Sequence, residues 1–513
     1  LKQIGSAQVV AIRPPEAAAY WGHAFTPDGT AVYYATKSND ASSGALYRVA
    51  TLGGAATRLL EGIDSTVGFS PDGSRIAFVR AGYPTKEESA LIVANSDGSN
   101  ARVVAKRHAP DSLSAIFFTG PSWSPDGTSI AFSALQTRGV ETQTLIRVVP
   151  AAGGEEKDIS NGRWGRVGQL AWLPDGKRLL AVAETPGRTG AQLWEIPFPS
   201  GAPRRITQDL LEYRIVSITR DGRSVVTIPS DAQSAIWSVP LDGAEPTRLT
   251  SGKGDGIWGF ASLPDGRLVY TSRENGVSDI WVAAADGSER HSLFPNAVTR
   301  REPAVSEDGS TIAYVSASDS TLRLSDTINS LERARIDGSD VHALEQAELS
   351  GPAFTPDGKS IVYSRRTGGE KVLAKIAVDG GPVSMLTSYF AVAPAVSPDG
   401  RSIACVCREK QDEPFMMCIL PIAGGAPIRK FPVRYDTALV IRWTGDGKAL
   451  LFNGGPGDRA NVYMQSLDGK PPTKLTHFTE SIIFYFAPSR DGKSLLIARV
   501  NLIRDAVMIS GFD

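Results

Sequence analysis

Aspartate is the residue whose spacing first suggests chemistry. Asp28, Asp72, Asp126, Asp175, Asp221, Asp265, Asp308, Asp357, Asp399, Asp446 and Asp491 each precede a glycine, at intervals of 42–54 residues. Repeated carboxylates invite a calcium reading, but calcium takes about 6–8 oxygens from one locality, and here one carboxylate falls in each long interval. The other reading is conformational. Proline precedes seven of the eleven, with Arg220, Glu307, Gly445 and Arg490 in the rest. Pro presets φ, Asp bonds its own backbone and Gly takes the left-handed conformation, so each Pro-Asp-Gly reads as a tight turn.

Other reactive types lack a productive pattern. No G-x-S-x-G nucleophile elbow occurs, the nearest being Gly68-Phe-Ser-Pro-Asp72. His23, His108, His291, His342 and His477 are scattered, without HExxH or a nearby Cys. The sialidase-type box is missing because Gly directly follows Asp. No metal and no cofactor are expected, although paired carboxylates converging from distant segments could still make a hydrolase or lyase. Three cysteines, Cys405, Cys407 and Cys418, allow one bridge, and Cys405 and Cys418 are expected on neighbouring strands.

The elements around each turn are strands. Three residues before Asp stands Phe25, Phe69, Trp123, Trp172, Ile218, Val305, Phe354, Val396 or Trp443; only Ser262 and Pro488 depart. After it comes a β-branched or aromatic run such as SIAF, SIVY or TIAY. A second Asp-Gly or Gly-Gly turn follows, as in AIWSVPLDGAEPTRLT. The unit is four antiparallel strands in a period of about 46 residues, one propeller blade. Residues 1–12 match the last two strands of such a unit and the final unit lacks its fourth. The chain is therefore expected to be all-β, tandem β-propellers of about twelve four-stranded blades. Two six-bladed rings are the expectation, with seven plus five, five plus seven, or one large ring, as alternatives. The boundary is placed at Ser251–Gly256, giving propellers over 1–250 and 251–513.

Composition excludes several function classes. The 513 residues are 42% hydrophobic and 21% charged, with 54 basic against 55 acidic side chains, so no global field favours nucleic acid or an anionic membrane. No apolar run approaches the roughly 18 residues that span a bilayer, and LKQIGSAQVV lacks a signal-peptide layout. The opening Leu suggests a processed or excised chain, attached to a membrane only through a missing N-terminal anchor.

Subtracting the repeat isolates candidate binding residues. Trp123, Trp172 and Trp443 occupy the apolar position before the turn, and Trp194, Trp237 and Trp281 the third strand. Trp21, Trp164 and Trp258 remain, in connections from one blade to the next. Tyr20, Arg163, Arg166, Tyr213, Arg214, Arg300, Arg301, Glu302, Arg434 and Tyr435 share that placement. Aromatic and Arg side chains are the usual anchors of binding surfaces. The candidate ligand-binding set is Tyr20, Trp21, Trp164, Arg166, Tyr213, Arg214, Trp258, Arg300, Arg301, Arg434 and Tyr435; the plainer alternative is that they cover channel mouths or ring contacts. Two long excursions, residues 105–120 and 316–330, are further recognition candidates.

SPDG followed by an apolar strand, (I/L)W, DG and a closing RLT resembles the TolB-type β-propeller repeat over almost the whole chain. The order of variants, with LYRVATLGGAATRLL, ITRDGRSVVTI, IRWTGDG and AVMISGF, is similar to tandem propeller regions C-terminal to the membrane anchor of bacterial serine/threonine kinases and winged-helix regulators. That resemblance implies a periplasmic or otherwise extracytoplasmic, non-enzymatic sensor or interaction module for a protein, peptide or small polar ligand. TolB-type blades also serve as envelope scaffolds and as substrate-gating propellers of prolyl-oligopeptidase-type peptidases, which leaves a peptidase part without its catalytic domain as the alternative.

Overall fold

The computed structural model describes residues 19–37, 44–115, 119–138, 141–159, 164–185, 190–209, 211–219, 221–252, 254–274, 277–294, 296, 298–317, 329–367, 369–410, 413–433, 440–455, 458–479, 482–504 and 506–511. All eleven Asp-Gly steps are hairpin turns. In each, an Asp Oδ1 accepts the backbone N–H two residues on, at 2.8–3.1 Å. In nine, a Ser or Thr two residues earlier also donates its hydroxyl to that oxygen, at 2.5–2.7 Å. The turn glycines lie at φ of 66° to 89°, where a Cβ is disfavoured. These carboxylates are thus committed within their own turns.

The chain is all-β and antiparallel, and its described strands form eleven blades, numbered here in chain order. Blades 1 to 4 begin with inner strands Ala19–Phe25, Gly68–Phe69, Ser122–Trp123 and Arg166–Trp172. Blade 5 begins with Glu212–Ile218. Blades 6 to 11 begin with Phe260–Ser262, Thr299–Val305, Leu349–Phe354, Phe390–Val396, Ile441–Trp443 and Ile482–Pro488.

Two compact units result: residues 1–231 with 504–513, and residues 232–503. The division therefore differs from the 250/251 boundary set by the turn pattern, because strands from far apart in the chain complete two blades. Ser224–Pro240 is one long strand. Its first part pairs with Glu212–Ile218 and, on its other side, with Val507–Ser510. Its last part carries Thr247–Arg248 and joins the blade of Ile482–Pro488 and Ser494–Arg504. In unit 2, apolar clusters fill every gap between successive blades. The cluster of Ile236, Phe260, Tyr270, Leu496 and Ala498 joins blade 11 to blade 6 and closes a six-bladed ring.

The tryptophans before the turns confirm the architectural reading. Trp123, Trp172 and Trp443 are buried, and each indole N–H donates to a carbonyl of the preceding blade's inner strand: Gly68, Ser122 and Ala395, at 3.0, 3.2 and 2.9 Å. They bind blade to blade by apolar area and by a satisfied donor together. Cys405 and Cys418 are register partners as expected, yet Cys418 bonds the diagonal neighbour Cys407, with Cα atoms 5.9 Å apart. Cys405 is a buried free thiol whose pKa burial pushes up. No helix among the described residues is long and apolar enough to cross a membrane.

Candidate functional site

Aligning the inner strands on their turn aspartates exposes where the repeat is broken. Four residues before Asp stand Ala24, Gly68, Ser122, Ala171, Ser217, Ala261, Ala304, Ala353, Ala395 and Ala487, all small; Arg442 is the exception. The crowding that demands small residues is visible at Gly68, where a Cβ would fall 2.1 Å from the Pro121 carbonyl oxygen. Arg442 instead turns its guanidinium over the Tyr485 ring, 4.8 Å from its centroid. One Nη donates to the Ile441 carbonyl at 2.7 Å and the other to the Tyr485 hydroxyl.

Tyr485 leads to a second departure. The point where a Cβ on Gly259 would sit is 3.1 Å from Pro303 Cδ, 3.2 Å from Glu302 Cα and 3.5 Å from Tyr485 Cε2, so blades 6, 7 and 11 converge there. Glu302 is a non-glycine residue at φ 55°, within the register shift between Arg301 and Ala304. Its N–H donates to the Trp258 carbonyl at 2.7 Å, and its carboxylate accepts the Gly351 N–H of blade 8. A left-handed Glu costs roughly 1–3 kcal/mol and persists where surroundings over-determine it; here both flanking blades hold it.

Arg300 and Arg301, adjacent on the blade 7 inner strand, have opposite environments. The Arg300 side chain is 5% exposed and paired through its Nη atoms: Asp279 Oδ1 at 3.1 Å, Asn296 Oδ1 at 2.6 Å, and the Phe294 ring 4.2 Å from its Cζ, with Nε left unpaired. Burial pushes the Asp279 carboxyl up, opposed by a hydrogen bond from Ser292 and by Arg300. Arg301 is also buried, 6% exposed, but no hydrogen bond or ion pair among the described residues engages it, and its Nε is sealed from solvent. Trp258, at the equivalent position of blade 6, likewise has a buried indole N–H without a partner. Unpaired buried Nε atoms recur among the arginines and the Trp164 indole N–H shares the condition of Trp258; what sets Arg301 apart is that no atom of its guanidinium has a partner among the described residues.

The remaining candidates fall elsewhere. In unit 1, Arg166 bridges Glu184 at 2.6 Å and Glu212 at 3.0 Å, and Arg214 reaches Glu212 at 3.5 Å. Tyr213 is buried and donates to Asp209 at 2.7 Å. Trp164 is 3% exposed, packed edge-on against Trp194. Trp164 and Tyr213 are thus buried side chains. The backbones of Tyr20 and Trp21 pair with Thr36 and Ala35; Arg434 and Tyr435 lie outside the described residues, as does most of 316–330. A cavity of about 450 Å³ at the turns of blades 1 and 2 is lined by Asp28, Tyr33, Arg48, Asp72 and Asp97, none of them a sequence candidate. Among the described residues no three His, Cys, Asp or Glu side chains gather as a metal site. Sequence inspection missed Arg442 and Tyr485, although the column of small residues was there to reveal Arg442.

Residues 217–389 match the family model of the TolB beta propeller domain. Over 257 residues the chain is 27% identical to an uncharacterized protein of Agrobacterium fabrum, covering 48% of this chain and 84% of that one. It is 27% identical over 158 residues to dipeptidyl-peptidase 5 of Porphyromonas gingivalis, covering 30% and 22%. To tricorn protease homolog 1 of Streptomyces coelicolor it is 25% identical over 287 residues, covering 52% and 24%. The chain thus spans about a quarter of each peptidase. The crystal structure of TolB from Acinetobacter baumannii superimposes with a TM-score of 0.37 at 14% identity, over 76% of this chain and 82% of that one. Residues 217–389 are thus similar to the TolB beta propeller domain, and the repeated four-stranded antiparallel sheets are those of a β-propeller.

Proposed function

We propose that the chain is a non-enzymatic sensor or interaction module working outside the cytoplasm, and that it binds a protein, peptide or small polar ligand on the inner strands of unit 2. The observation that carries this reading is Arg301, a buried guanidinium without a partner among the described residues, beside a left-handed Glu302. Two further departures from the repeat lie in unit 2: Trp258, with a buried unpaired indole N–H, and Arg442, which donates to the Tyr485 hydroxyl. Rigid blades hold these side chains, so binding costs little ordering of the protein. The Cys407–Cys418 bridge fits an oxidising compartment.

The test is a screen of peptides and small polar solutes by thermal shift and calorimetry, repeated on Trp258→Ala and Arg442→Ala. The reading expects ligands whose affinity falls at least about tenfold in either variant. Ligands indifferent to both variants would refute it. The similarity to two peptidases keeps a substrate-gating propeller as the second reading; it predicts peptides that bind inside the channel and activity only on joining a catalytic domain.

A further inference from the structure

Resting on the binding role proposed above, we infer that Arg301 is a receptor for a carboxylate group of the ligand. A guanidinium keeps its charge at any physiological pH, so burial cannot be relieved by losing a proton. A buried cation without a counter-charge costs several kcal/mol. Its neighbours do not supply one: Glu302 turns its carboxylate to the Gly351 N–H, and Asp279 is taken by Arg300. Arg300 is turned toward blade 6, where it meets Phe294 and Asp279, and alternation along the strand turns Arg301 to the opposite side.

The chemistry of the free edge narrows the guest. Nε is sealed from solvent, but neither Nη has a partner among the described residues, so the two Nη ends of the fork remain to face two coplanar oxygens, the bidentate geometry of a carboxylate. Trp258, which stands at the equivalent position before the turn of blade 6, has a second buried donor without a partner among the described residues. The αL backbone of Glu302 is held by bonds to Trp258 and Gly351, and so fixes the strand immediately after Arg301. A preformed donor set of this kind selects an acidic group over its neutral amide.

The experiment uses the full chain and formate, the smallest carboxylate, as probe. Thermal unfolding is followed in sodium formate, sodium phosphate and sodium chloride at matched ionic strength, for wild type, Arg301→Gln and Arg301→Lys. Near-ultraviolet circular dichroism checks that each variant is folded. Formate is expected to raise the wild-type midpoint saturably, by about 2–4 °C over chloride. Apparent formate affinity should drop about tenfold or more in Arg301→Gln, with Arg301→Lys between, since it keeps the charge and loses the fork. Equal shifts in wild type and Arg301→Gln, a shift with phosphate alone, or no formate shift would each overturn the carboxylate assignment. Ligands lost in Trp258→Ala or Arg442→Ala yet indifferent to Arg301→Gln would also overturn it while leaving the binding role standing.

Discussion

Two neighbouring arginines of the same strand should respond in opposite ways to one substitution. Arg300→Met leaves Asp279 buried, 7% exposed at its side chain, with the Ser292 hydroxyl as its remaining side-chain donor. Breaking a buried pair by removing one partner costs about 3–5 kcal/mol, which for a unit of this size lowers the midpoint by roughly 6–20 °C. Arg301→Met keeps the apolar stem volume and removes a charge that has no partner, so it should be neutral or stabilise by up to about 4 kcal/mol. Acidity adds a second signature. Burial raises the Asp279 pKa in the folded state above its unfolded value, so its contribution to stability declines as pH rises through the folded pKa. With Arg300 gone the group is raised further, and the Arg300→Met deficit should be smallest near pH 4 and grow toward neutrality. Urea and thermal unfolding of both variants from pH 4 to 8 measure all of this. Equal destabilisation by the two variants would refute the claim that Arg301 is unpartnered.

Three other outcomes can be checked. Trp443→Phe should cost about 1–3 kcal/mol in urea unfolding, because the Ala395 carbonyl loses the indole N–H at 2.9 Å. In the turns, hydroxyl and backbone donors hold the Asp28 and Asp72 carboxyls at about 2. Their stabilisation is complete above about pH 4 and is lost as pH falls toward about 2; Asp72→Asn should flatten that arm of the acid-unfolding curve measured by circular dichroism. Truncation after Arg504 removes Val507–Ser510 from the Ser224–Thr227 pairing. Calorimetry should then show the unit 1 transition lowered and that of unit 2 unmoved.

Local chemistry was legible wherever the fold is local. The eleven turns could be read directly, because Pro, Asp, Gly and the hydroxyl two residues earlier act within six residues of one another. The core tryptophans followed from the same register. The return of the chain to blade 5 was hidden, since nothing near Ser224 announces that Val507–Ser510 will pair with it across nearly three hundred residues. The cysteine bridge was read one register step away, as side chains on one face reach diagonal as well as direct neighbours. Among the candidate binding residues, sequence position could not separate the paired guanidinium of Arg300 from that of Arg301, which has no partner among the described residues. Trp164 and Tyr213 looked alike from outside and proved to be core. Arg442 was visible in a column of ten small residues, and required only that the column be written out.

The strand Ser224–Pro240 has a consequence for synthesis. Residues 232–503 are contiguous, so the ribosome delivers everything unit 2 needs before the last residues appear. Unit 1 begins earlier, yet its fifth blade stays open until Val507–Ser510 has left the exit tunnel. The half made first is therefore finished last. For the whole of translation beyond residue 231 it presents an unpaired strand edge, the feature that invites pairing with another nascent chain.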